Sequence, residues 1–313
     1  MYNYDFPPYR PPSEASSYLI RVVRGCNWNR CKFCNMYRDI KFEVRDREEI
    51  LRDIDNLTKV FGKSNSAFLG DSNPLIHKDI VEIVSYLKSK HPHISRITAY
   101  ARAKTIARMR EERLEALKNA GLIRLHIGLE SGDDEILKLI KKGATREDMV
   151  KAGKKAKKYF ELSFYVIVGL GGVDRSRQYV RNTTEVVNEV GPDFVRVRTL
   201  TIGYNTEMQK MVEKGKVTPL TPLQQLDELK KLIELIDVET YLTCDHVSNL
   251  LVIKDWKNWF NRVIFNGVEG TLPYEKNRML EEINKAKEKV LELESKGARI
   301  LNCNDLVKLG IIM

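Results

Sequence analysis

Three of the five cysteines fall within one short stretch, Gly25-Cys26-Asn27-Trp28-Asn29-Arg30-Cys31-Lys32-Phe33-Cys34. In a chain of 313 residues this crowding points to a metal rather than to a disulfide framework. Three thiolates on one loop can each hold one iron of a four-iron cubane, leaving the fourth iron open to a small molecule. Zinc is the alternative, and it asks for a fourth protein ligand or a water. The nearest histidine in sequence is His77 and the next cysteine, Cys244, lies far downstream, so the iron–sulfur reading is favoured while zinc stays open. Cys244 and Cys303 stand alone, as small buried hydrophobes usually do. Cys244-Asp245-His246 nevertheless follows a candidate strand, where it could supply a hydrogen-atom donor, an acid–base pair or a substrate contact. A buried cysteine followed by a capping aspartate is the plainer alternative.

These residues need a scaffold, and the hydrophobic pattern supplies one. Short β-rich runs alternate with longer charged helical stretches over about two hundred residues, the signature of a parallel sheet covered by helices. The pattern predicts strands at Tyr18–Arg24, Ser66–Leu69, Arg96–Ala101, Leu122–Gly128, Leu162–Val168 and Asp193–Leu200, with a seventh at Glu239–Cys244. Between them it predicts helices at Arg47–Phe61, His77–Lys90, Glu111–Ala120, Asp133–Ile140, Arg146–Phe160 and Ser176–Val190. After Thr201 the rhythm changes, with helices expected at Leu220–Ile236 and Pro273–Lys296. The expected division is an N-terminal extension over 1–17, an α/β core of six β/α units over 18–200, and a C-terminal extension over 201–313 packed on that core. The cysteines follow the first strand at its C-terminal end, where parallel α/β folds bind ligands.

Composition excludes more than it identifies. Fifty-three Lys and Arg against forty-three Asp and Glu give a net charge of +10, but the signs are interleaved, as in Arg45-Asp46-Arg47-Glu48-Glu49, which marks solvated helix faces. Mean hydropathy is −0.38, and no run approaches the roughly 20 apolar residues of a membrane span. The proline-rich start, Met1 to Pro12, lacks the pattern of a secretory signal. A cytoplasmic protein with no membrane partner is the expectation.

A strand followed by three cysteines, with an aromatic residue just before the last, is similar to the radical S-adenosylmethionine (SAM) superfamily. The first gap holds four residues rather than the commoner three. Further matches follow in order: Phe68-Leu69-Gly70-Asp71-Ser72-Asn73-Pro74, Tyr100-Ala101-Arg102, Ile127-Gly128-Leu129-Glu130-Ser131-Gly132, Val166-Ile167-Val168-Gly169-Leu170-Gly171-Gly172, and Asp245-His246-Val247-Ser248-Asn249. They resemble a branch often labelled by analogy with oxygen-independent coproporphyrinogen oxidase.

The resemblance implies an incomplete (β/α)6 barrel with an α-rich C-terminal extension, a [4Fe–4S] cluster on Cys26, Cys31 and Cys34, and SAM bound to the open iron. It implies that Phe33 flanks the adenine, that Asp71, Ser72 and Asn73 take the place of a turn holding the methionine amino group, and that Arg102 pairs with the methionine carboxylate. Glu130 would bond the ribose or the methionine part, and Val168 and Gly169 would offer backbone to the adenine. Each has a plainer alternative: core packing for Phe33, helix capping for the Asp71 turn and for Glu130, surface charge for Arg102. The implied chemistry is reductive cleavage of SAM to a radical that takes hydrogen from a small-molecule, peptide or cofactor-precursor substrate, fed by a low-potential donor such as ferredoxin or flavodoxin. A nucleic-acid substrate is possible but not favoured. The competing classes are a zinc-stabilised nucleic-acid-binding protein and a non-catalytic iron–sulfur barrel for electron transfer.

Overall fold

The computed structural model describes residues 5–6, 9–253 and 263–311; residues 1–4 and 7–8 of the expected N-terminal extension lie outside that set. The chain forms two compact units, one of Met1–Asn29, Met36–Gly128 and Glu147–Ser163, the other of Arg30–Asn35, Leu129–Arg146 and Phe164–Met313.

In the first unit, β1 (Tyr18–Arg21), β2 (Ser66–Gly70), β3 (Arg96–Ala101) and β4 (Leu122–Glu130) lie side by side in chain order and pair in parallel. Every residue of β1 and β2 is buried, as expected of strands covered on both faces. Helices α1 (Arg47–Phe61), α2 (Ile80–Lys90), α3 (Glu111–Ala120) and α4 (Arg146–Lys157) follow the strands. On α1 the buried Ile50, Ile54 and Leu57 recur at the three-to-four spacing of one helix face. Asp46 caps its start by accepting the Glu48 and Glu49 amides. Beneath the strands Glu14, fully buried, accepts from Ser17 Oγ at 2.7 Å and Arg96 at 2.7 Å and lies 3.3 Å from His126 Nε2. A buried carboxylate persists only with such partners.

In the second unit β5 (Glu161–Val168), β6 (Phe194–Thr199), β7 (Thr240–Thr243) and β8 (Glu269–Leu272) again neighbour one another in chain order. β6 and β7 are parallel, and β8 closes the series antiparallel to β7. The sequence pattern does not anticipate β8. Helices α5 (Ser176–Val190), α6 (Pro222–Leu235) and α7 (Lys276–Ser295) pack in succession, α5 on α6 and α6 on α7. Thr221 and Gln224 form a capping box that starts α6. A small antiparallel sheet joins Leu251–Ile253 to Val263–Phe265 and Ile300–Leu301. The expected mostly parallel α/β sheet with covering helices and a helix-rich C-terminal part is therefore present.

Two local differences bear on the site. The expected first strand, Tyr18–Arg24, stops at Arg21, and Val23–Arg24 instead pairs antiparallel with Glu43–Val44. That pairing brings together the two ends of the excursion that carries the cysteines. The expected His77 helix starts at Ile80, because His77 is tied into the preceding turn: its Nδ1 accepts the Asp79 amide and its Nε2 bonds Arg45 O.

Candidate functional site

Cys26 follows Gly25, whose φ of +77° suits glycine and turns the chain out of the sheet. The loop after β2 holds that turn. Asp71 Oδ2 accepts the Gly25 amide at 2.9 Å and Ser72 Oγ donates to Gly25 O at 2.9 Å. Asp71 is 2% exposed and lies 3.4 Å from the buried Arg21 guanidinium. Burial raises its carboxyl above the usual range, against the pull of the Gly25 amide and Arg21. Asn73, fully buried, donates to Thr105 Oγ1 at 2.9 Å and accepts the Arg102 amide at 3.3 Å. The expected methionine-binding turn thus supports the Cys26 loop and the β3 exit with its own polar atoms. The Arg102 guanidinium lies 5.1 Å from the Trp28 ring centroid, a cation–π contact within the same unit.

Cys26, Cys31 and Cys34 are all half-buried, and no disulfide joins the five cysteines. The Asn29 amide donates to Cys26 Sγ at 3.4 Å, the kind of N–H···S bond that tunes a thiolate ligand. In the second unit the segment around Cys31 and Cys34 is anchored at both sides, Lys32 N bonding Ile140 O and Met208 N bonding Lys32 O, each at 2.9 Å. Phe33 is half-buried within it. Among the described residues no three His, Cys, Asp or Glu side chains form a group that could hold one metal ion. A cubane makes a different demand, one thiolate on each of three irons, and a donor set of three soft thiolates fits it.

Glu130 ends β4 with φ +62°, a left-handed conformation that is costly for a residue with a side chain. Its half-buried carboxylate pairs with Lys142 at 2.7 Å. The capping alternative for Glu130 is filled by its neighbour Asp133, which accepts the Ile136 amide at the start of the helix Asp134–Leu139. Val168 ends β5 and Gly169 opens the turn after it, where both are already engaged: Leu200 N donates to Val168 O at 2.8 Å and Gly169 N donates to Glu228 Oε1 at 2.6 Å. They offer shape and close approach more than vacant hydrogen-bonding groups.

The residues after β7 take structural parts. Cys244 is 1% exposed, and burial pushes its thiol up to about 12. Its amide bonds Val268 O, its carbonyl accepts from Asn249 Nδ2, and the Gly267 backbone passes so close that a Cβ there would overlap Cys244 O. A thiol so placed is a poor acid–base group. Asp245 is exposed and accepts from Thr243 Oγ1. His246 caps the turn Val247–Asn249 through the Ser248 amide at 3.1 Å. Burial, with help from the Arg198 charge, pulls its pKa down to about 4 although Asp245 works the other way, so it is neutral at pH 7. Asn249 ties β6 to this turn through Val197 O and Thr199 Oγ1. Cys303, fully buried, lies 3.4 Å from Thr201 Oγ1.

The sequence does not single out Lys142 or Glu228, which the structure pairs with Glu130 and with the Gly169 amide. Lys142 sits in a lysine-rich turn indistinguishable from solvated charge. Glu228 had one signal, a carboxylate on the buried face of α6 in phase with Leu229 and Leu232.

Three free cysteines follow the first strand of a mostly parallel α/β sheet, the arrangement expected of a cluster-bearing enzyme. Residues 20–183, just over half of the chain, match the Radical SAM superfamily, and the chain belongs to it. It is an enzyme, and the cofactors of its superfamily are a [4Fe–4S] cluster and SAM. Among curated relatives, an uncharacterized methyltransferase of Pyrococcus horikoshii is 28% identical over 189 residues, covering 58% of this chain and 39% of that protein. A probable threonylcarbamoyladenosine tRNA methylthiotransferase of Methanocaldococcus jannaschii is 33% identical over 113 residues, covering 35% of this chain and 26% of its own length. The chain therefore spans about two fifths or less of these relatives. Among solved structures, coproporphyrinogen III oxidase from Escherichia coli aligns with a TM-score of 0.52 at 16% identity, over 70% of this chain and 52% of that one. Methylornithine synthase aligns with a TM-score of 0.51 at 19% identity, over 71% of this chain and 63% of that one. These likenesses concern the fold. No helix among the described residues is long and apolar enough to cross a membrane.

Proposed function

We propose that this enzyme cleaves SAM reductively and uses the product to take hydrogen from its substrate. The observation that carries the reading is the trio Cys26, Cys31 and Cys34, half-buried and outside any disulfide, on the loop after β1. A bound cluster would supply the electron that splits the C5′–S bond of SAM, so that methionine and, after hydrogen is taken from the substrate, 5′-deoxyadenosine would be the products. The chain's own residues bind and orient. Cys26, Cys31 and Cys34 would hold the three ligated irons, with the Asn29 amide donating to Cys26 Sγ. Phe33 flanks the adenine, and Gly169 permits its close approach. Arg102 pairs with the methionine carboxylate. Glu130 and Lys142 form a charged pair at the exit of β4 that can bond the ribose or the methionine part. Asp71, Ser72 and Asn73 act at one remove, by fixing Gly25 and the Arg102 backbone.

The substrate belongs to the small-molecule, peptide or cofactor-precursor class, with a low-potential ferredoxin or flavodoxin as reductant. The test is anaerobic: the protein is reconstituted with iron and sulfide, mixed with dithionite and SAM, and 5′-deoxyadenosine is measured by mass spectrometry beside Cys31→Ala. Formation in the wild type and loss in the variant is the expected outcome. A colourless, zinc-loaded and inactive protein refutes the reading.

A further inference from the structure

The turn after β5 is held from the part of the chain beyond residue 200. Glu228 on α6 is 3% exposed; it takes the Gly169 amide on Oε1 at 2.6 Å, and Oε2 accepts from the hydroxyl of Ser176, the first residue of α5. The same turn is held a second time by Val173 N, which donates to Thr218 O at 2.9 Å, and Leu220 packs over Gly169. A leucine on this face of α6 would bury without a desolvation penalty, whereas a carboxylate carries one. Burial pushes the Glu228 carboxyl from 4.5 up to about 7, with the Gly169 amide and Ser176 pulling it down. Within the fold it faces Tyr179 on α5, a fully buried phenol that feels both Glu228 and Glu130. Toward solvent, Arg177 and Arg181 of α5, Asp227 and Lys230 of α6 and Lys287 of α7 line the groove above it.

We propose that Glu228 is a positioning residue of SAM binding: by holding the Gly169 amide and the Ser176 hydroxyl together it fixes the Gly169–Gly172 turn in the form that receives the adenine. The inference rests on the reading of Val168 and Gly169 as the adenine-side turn. It makes cofactor affinity depend on α6, outside the part of the chain that matches the superfamily.

The experiment compares wild type, Glu228→Gln and Glu228→Ala by two measurements on the reconstituted protein. Hydrogen–deuterium exchange of residues 168–173 without SAM reads the hold on the turn, and equilibrium dialysis with labelled SAM from pH 5.5 to 8.5 reads affinity. Removing a charged acceptor is expected to speed exchange and weaken SAM binding about tenfold in Glu228→Ala. Turnover at saturating SAM should stay within about twofold, since uniform binding alone is lost. Glu228→Gln keeps an acceptor for Gly169, so it should restore most of the protection. Wild-type affinity should fall as pH drops through about 7, where protonation makes the Glu228 carboxyl a weaker acceptor for the Gly169 amide, and Glu228→Gln should lack that fall. Wild-type exchange and affinity in a folded Glu228→Ala protein overturn the proposal. If that variant does not fold, a Glu228→Gln pH profile identical to the wild type overturns it. Failure of the proposed function looks different: the wild type then binds no SAM at any pH, while the exchange difference at Gly169 persists.

Discussion

Gly132 stands two residues beyond the strained Glu130, where β4 meets α5, and replacing it with alanine tests whether that junction sets the Glu130 geometry. A Cβ at this position would lie 2.1 Å from Asn182 O, 2.7 Å from Asn182 C and 2.8 Å from Thr183 Cα. All three are helix backbone atoms, which cannot swing aside as a side chain can, so the β4 exit must move by about 1 Å to restore ordinary contact. Such overpacking costs about 1–3 kcal/mol. The displacement also stretches the buried bond from the Gly132 amide to Thr183 Oγ1, now 3.0 Å, at about 1–2 kcal/mol more. The expected total is about 2–5 kcal/mol, read as a lowered urea midpoint by circular dichroism of the protein without cluster. Thr183→Val removes only the hydrogen bond and should cost about 1–2 kcal/mol. The double variant should cost less than the sum, because both changes act on one bond. Gly132→Ala within about 0.5 kcal/mol of wild type would falsify the argument that this contact is tight, and with it the idea that the junction sets the Glu130 geometry. In the folded fraction, a shift of about 1 Å at Glu130 should raise the KM for SAM by an order of magnitude or more.

Three further outcomes are expected. Glu14→Ala leaves Arg96 and His126 without their buried carboxylate and should cost about 3 kcal/mol or more in denaturant unfolding. Since its partners lower the Glu14 pKa below 4.5, the stabilisation it gives is present above pH 4.5 and fades as pH falls through the lowered value; an unchanged midpoint at neutral pH would refute the pairing. In the folded protein without cluster, iodoacetamide at pH 8 should modify Cys26, Cys31 and Cys34 and spare Cys244 and Cys303, whose thiols burial raises to about 12 and about 11. Rapid labelling of Cys244, mapped by peptide mass spectrometry, would reopen its catalytic reading. His246 should keep a neutral imidazole down to about pH 4 by NMR titration. A depressed histidine pKa means that its contribution to stability is complete above about 6.5 and is lost as pH falls toward 4, and titration near 6.5 would contradict the observed capping role.

How far the sequence could be read depended on what kind of interaction fixed each residue. Strand and helix positions follow from local periodicity, which is why six predicted strands and the helices between them recur within a few residues. The cysteine spacing is equally local, and so is the chemistry of three thiolates. Asp71 shows where legibility ends. Its place after β2 is visible in the sequence, but whether its carboxylate faces a ligand or a neighbouring loop is decided by Gly25 and Arg21, some fifty residues away. The same holds for β8, four residues whose pairing with β7 is not written in any local period.

Glu228 carries that argument furthest. Sequence periodicity assigns its position to the core of α6, and core positions are filled by apolar side chains unless a partner offsets the cost of a buried charge. Here the partners are a backbone amide and a hydroxyl on the turn that ends β5, neither of which a sequence can display. A buried carboxylate out of place in a helical pattern is therefore a signal in its own right, pointing to a donor elsewhere in the chain. Here the donors are Gly169 and Ser176, on either side of the turn that ends β5, so a carboxylate from beyond residue 200 fixes the turn on which the proposed adenine contact rests.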